Sequence, residues 1–92
     1  MLTDEMLAKL HPDACLFEPR DLLDRAIVDV TDDPQDDLPR RLKICVAVYD
    51  FKHLVELFGG DDEALDHVCY NIAGAWIGEG TPAIRYPENL DE

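Results

Sequence analysis

The stretch Leu42–Tyr49 leaves the rest of the chain little freedom. Ile44, Val46 and Val48 alternate with Cys45, Ala47 and Tyr49, so a strand formed here is apolar on both faces. Such a strand belongs at the centre of a sheet, where both of its faces are covered. Asp50 follows at once and is placed to cap a helix, because its carboxylate accepts a hydrogen bond from an otherwise unpaired first-turn amide. Phe51, Leu54, Val55 and Phe58 then fall on one helical stripe, and Gly59–Gly60 supplies the positive-φ stop.

The remaining elements are arranged around this strand and helix. The spacing of Met6, Leu7 and Leu10 predicts a short helix from Thr3 or Asp4 to Leu10. His11–Pro19, with two prolines, reads as extended, and Asp21–Arg25 is ambiguous. Ala26–Val30 is β-branched and alternating, which predicts a strand. A second helix is expected over Asp62–Ile77, capped by Asp61 or Asp62, burying Leu65, Val68, Cys69, Ile72, Ala73 and Trp76 and stopped by Gly78 and Gly80. Ala83–Tyr86 reads as a last short strand closed by Pro87, and the tail at 88–92 is expected to fray.

Ninety-two residues form a single domain, since a chain this short cannot divide its apolar side chains between two cores. The mixed order of elements gives an α+β fold: a small antiparallel three-stranded sheet with two helices on one face, plus a short N-terminal helix. The Tyr49 face of the central strand is then left wet in a monomer. That exposure, together with the small core, points to a homodimer.

Charge narrows the functional classes. Eight Lys and Arg against 21 Asp and Glu leave a formal net charge of -13. Neutralising phosphates takes clustered basic residues, so neither nucleic acid nor an anionic membrane surface suits this chain. The longest apolar run, Ile44–Tyr49, has six residues, far short of the roughly 18 that cross a bilayer. No basic and then apolar leader opens the sequence, so it reads as cytoplasmic.

The acidity concentrates in one place: Asp29, Asp32, Asp33, Asp36 and Asp37 put five carboxylates into nine residues, around a polar loop at 31–41. One reading is a polyanion-like surface that steers and docks a basic protein partner. The other is a solvated loop whose acidity reflects a salt-rich habitat. As a calcium loop the stretch lacks the central glycine and final glutamate of an EF-hand.

Catalytic and metal chemistry find little support. The chain has no serine, which removes the usual triad nucleophile. The three cysteines, Cys15, Cys45 and Cys69, read as reduced thiols, and the mid-strand Cys45 and mid-helix Cys69 lack an activating base. His11 with Cys15 and His67 with Cys69 have no second ligand pair at zinc-site spacing, so neither a metal nor a cofactor is expected. Gly78-Glu79-Gly80-Thr81-Pro82 follows a helix C-terminus, whose carbonyls repel a phosphate. Tyr49, Tyr70, Trp76 and Glu79 are the candidate interface residues, the three aromatics also serving an alternative reading in which a dimer stacks a nucleotide-like ligand.

In whole segments the chain resembles a group of small, mostly uncharacterised bacteriophage and prophage proteins. The likeness rests on His11-Pro12-Asp13-Ala14 running to Glu18-Pro19-Arg20, on Val48-Tyr49-Asp50, and on Tyr70-Asn71 followed by Gly74 to Pro82. The resemblance implies a mobile-element origin and supplies no site residues. Together these readings favour a small acidic binding protein that catalyses nothing and engages a protein partner.

Overall fold

The computed structural model describes residues 2–34, 40–73 and 77–87. The chain forms α1 (Asp4–Lys9), α2 (Arg20–Leu23), a 3-10 turn (Asp24–Ala26), β1 (Ile27–Thr31), β2 (Val46–Asp50), α3 (Phe51–Leu57), α4 (Asp62–Val68), a π turn (Cys69–Ala73) and β3 (Ala83–Arg85). The fold is α+β, and β2 is the central strand of the order β1-β2-β3. Asp36, Asp37, Trp76 and the expected frayed tail lie outside the described residues.

Local sequence signals set the helix ends. Thr3 Oγ1 accepts from Met6 N, Asp50 Oδ2 from His53 N and Asp61 Oδ1 from Ala64 N, which satisfies one orphan amide at the start of α1, α3 and α4. Gly59 and Gly60 have φ of +118° and +74°, the left-handed region that ends α3 without steric penalty.

The sheet is mixed rather than wholly antiparallel. β1 pairs antiparallel with β2, but β3 pairs parallel, with Val48 opposite Ala83 and Asp50 opposite Arg85. The reason lies in where the chain re-enters the sheet. His11 N donates to Cys45 O just before β2, and Cys15 N donates to Gly80 O just before β3. The 11–15 segment thereby holds the entries of both strands at one end of the sheet, so they run the same way. The approach at Gly80 is close enough that a Cβ there would lie 2.1 Å from Asp13 O.

The covered face is also the reverse of the one expected. Ala47 and Tyr49 belong to the main core with Leu23, Ala26, Ile27, Phe51, Leu54, Val68 and Ile72. Tyr49 has no exposed surface; it stacks on Phe17 at 4.8 Å between ring centroids, and its hydroxyl accepts from Phe17 N at 2.9 Å. The expectation of a wet Tyr49 face fails because that amide satisfies the phenol inside the core. Among the described residues no helix covers the face of Val46 and Val48, which form a second cluster with Ala83, Val28 and Ile44.

The second helix differs from its sequence reading as well. It passes into the π turn after Val68, and its inward residues are Ala64, Val68 and Ile72, while Leu65 and Cys69 are exposed. A wider turn advances less than 100° per residue, so residues four apart stay aligned where an α-helix lets them drift.

Two substitutions test this architecture. Tyr49→Phe orphans the Phe17 amide and is expected to cost about 1–3 kcal/mol by urea unfolding. Burial pushes the Tyr49 phenol from 10.0 up to about 12, so the folded chain holds a proton that the unfolded chain gives up first. Its stabilising effect is complete below pH 10 and declines as pH rises from 10 to 12. In Tyr49→Phe that part of the alkaline loss disappears, leaving the parts due to Tyr86 and Cys45, which burial also pushes up. Gly80→Ala drives a methyl into the Asp13 backbone and is expected to cost about 1–3 kcal/mol. Gly60→Ala, with open space but a left-handed φ, should cost about 1–2 kcal/mol. Urea midpoints of the two glycine variants provide the comparison.

Candidate functional site

On the helix-free face, β2 and the strands either side of it form the floor of a groove of about 370 Å³, near the low end of the roughly 300–1,000 Å³ typical of ligand sites. Its lining is Asp29, Thr31, Asp33 and Pro34 from β1 and the turn after it, Val48 from β2, and Ala83 to Tyr86 from β3. The groove is open to solvent, since Asp29, Asp33, Arg85 and Tyr86 are all exposed.

Register puts these side chains together. Asp29 is opposite Val48 on β1, and Ala83 is opposite Val48 on β3, so Asp29 and Arg85 reach toward each other over β2 from strands about 9.5 Å apart. Arg85 Nη2 donates to Asp29 Oδ2 at 3.3 Å, and the pair bridges the Val48 position, which is only 6% exposed. Asp29 Oδ1 accepts from Val30 N at 2.8 Å, which orients the carboxylate. β1 shifts register between Ile27 and Asp29, placing Asp29 on the Val48 face.

The other end of the groove wall is held by a clasp. Glu79 Oε2 accepts from Arg41 N at 2.8 Å and Leu42 N at 3.3 Å. Arg40 donates in return to Glu79 O at 3.5 Å and Pro82 O at 3.3 Å. Thr81, almost fully buried, accepts from Ile77 N and donates to Gly78 O, closing the turn that leads into β3.

Of the acidic candidates, Asp29 and Asp33 line the groove and Asp32 is exposed beside it; Asp36 and Asp37 lie outside the described residues. The proposed interface set does not converge. Tyr49 is core, Tyr70 is 83% exposed on the π turn, the Glu79 carboxylate is taken by the clasp, and Trp76 lies outside the described residues. Tyr49 is therefore withdrawn as an interface or ligand-stacking residue, because the helices and Phe17 enclose it.

Arg85, Tyr86 and Thr31 were not singled out from sequence. Strand alternation places Arg85 on the face of Ala83, but only the pairing of β3 with β2 brings it to Asp29, 56 positions away. Tyr86 borders the groove, but its half-exposed ring stacks on Phe51 of the main core at 5.0 Å between ring centroids.

The groove brings the charged Asp29, Asp33 and Arg85 together with the apolar Val48, Ala83 and Ile84. Among the described residues no group of three or more His, Cys, Asp or Glu gathers as a metal site, and no helix is long and apolar enough to cross a membrane. The Cys45 thiol is pushed up, first by burial and then by Asp32, which disfavours the thiolate a nucleophile needs. Comparison with protein-family models, curated proteins and solved structures finds no match to this chain.

Proposed function

We propose that this chain is a small acidic binding protein that carries out no reaction of its own and engages a basic protein partner through the helix-free face of its sheet. The observation that carries this reading is the groove lined by Asp29 and Asp33 together with Val48 and Ala83, on a chain of net charge -13. Long-range attraction from that charge steers a basic partner, and the concave face gives the encounter a place to settle. A role as the accessory protein of a mobile element rests on the segment resemblance alone.

A second reading has its own support. Exposed carboxylates also stand on other faces, among them Asp4 and Glu5 on α1 and Asp62, Glu63 and Asp66 on α4. Acidity spread in this way fits a protein kept soluble in a salt-rich habitat, with no docking role for the groove.

Capture of proteins from lysate on the immobilised chain separates the two. The docking reading expects proteins retained at 0.1 M salt and released at 1 M, where the screening length falls from about 10 to about 3 Å. Asp29→Asn/Asp33→Asn should abolish retention, while the charge-matched Glu18→Gln/Asp66→Asn, which alters only exposed carboxylates elsewhere, should keep it. Equal loss in both double variants would favour general acidity instead.

A further inference from the structure

We propose that residues 2–10 form a strap that leaves the core and melts while the rest of the chain stays folded, pivoting at Leu10 and stopping at His11. Burial sets α1 apart from the other helices. α2 buries Leu23, α3 buries Phe51 and Leu54, and α4 buries Ala64 and Val68, whereas α1 buries no residue. Its contact with the main core is made by Leu2, Met6 and Leu10, four residues apart and each only partly buried. Leu7 is 50% exposed, and the Lys9–Glu5 ion pair lies within the strap, so it ties α1 to nothing else. A segment with so little buried apolar surface opens at a lower free energy than the whole fold.

Undocking and melting are one event. α1 has six residues, about half the length at which an isolated helix becomes even marginal in water. Away from the core, the bonds from Leu7 N to Thr3 O and from Leu10 N to Met6 O have no packing to maintain them. The bond from Leu2 N to Asp24 O at 3.3 Å is lost in the same step.

The stop is built differently. His11 N donates to Cys45 O at 3.0 Å, Ala14 N to His11 O at 2.9 Å and Cys15 N to Gly80 O at 2.9 Å. His11 Nδ1 also accepts from Asp13 N at 3.0 Å, and Gly80 closes on the Asp13 backbone. This run joins the entries of β2 and β3, so it leaves only when the sheet comes apart. Leu10, with an extended ψ of 137°, is the joint between helix and anchored run. The open form keeps the sheet and its groove, and bares the apolar seat that Leu2, Met6 and Leu10 fill in the closed form. The strap thereby sets how much of the core the chain shows, whatever docks on the acidic face.

The test is amide hydrogen exchange of the isotopically labelled full chain, followed by NMR in rising urea below the unfolding transition. The Leu7 and Leu10 amides are expected to be about tenfold or more less protected than that of Cys15 and those of β2, with little dependence on urea, because the strap exposes little surface as it opens. Cys15 and β2 should follow the steep urea dependence of global unfolding. Leu7→Pro removes the donor to Thr3 O and does not fit inside a helix, so it holds the strap open. Residues 2–10 of that variant should move to random-coil shifts while Cys15 and β2 stay protected and unfold cooperatively. Equal protection and equal urea slope for Leu7, Leu10 and Cys15, or loss of the folded spectrum in Leu7→Pro, would overturn the strap.

Discussion

The Tyr49 ring lies between the sheet and the helices with no exposed surface, and one amide, that of Phe17, satisfies its hydroxyl. This contact decides which face of β2 carries the helices. With Tyr49 inward, Ala47 and Ile27 join the same core, and α3 and α4 bury Phe51, Leu54 and Val68 there. Val46 and Val48 are left to the opposite face, under a lighter cover of Val28, Ile44 and Ala83. The groove is a consequence of that division, because a face without a helix has room for one.

The second dependence runs through the 77–82 turn. It touches the N-terminal segment at Gly80 and the 40–42 segment through Glu79, and it delivers β3 parallel to β2. Run the other way, β3 would present its side chains in a different register, and Arg85 would not stand over β2 opposite Asp29. Glu79 thus supports the groove from a distance, its carboxylate accepting from the Arg41 and Leu42 amides.

What was legible in the sequence was local. Asp50 and Asp61 as caps, Gly59–Gly60 as a stop and the two apolar sets of β2 all rest on spacings of four residues or fewer, where backbone geometry leaves few options. What was not legible depends on distant partners. Alternation shows that β2 has two apolar faces but does not say which one the helices take; that choice follows from Phe17, 32 positions from Tyr49. The direction of β3 follows from Gly80 meeting residues 13 and 14, an encounter no periodicity records. In the same way, Asp29 was legible as an acidic residue but not as half of a pair, since Arg85 reaches it only once the sheet is assembled.

The central position of β2 also bears on how the chain behaves when it is not folded. Ile44-Cys45-Val46-Ala47-Val48-Tyr49 is uncharged and free of proline and glycine, the composition from which dry, fibril-forming zippers are built. In the native sheet Val46 to Tyr49 of this hexapeptide pair with β1, Val48 and Tyr49 pair with β3 as well, and Lys43 and Asp50 flank it as gatekeepers. One of its two edge strands, β1, has an irregular register and a charged Asp29, features that discourage stray chains from adding to a sheet's rim. Burying one sticky segment behind an irregular border works against polymerisation while a very small body keeps a strongly associating sequence at its heart.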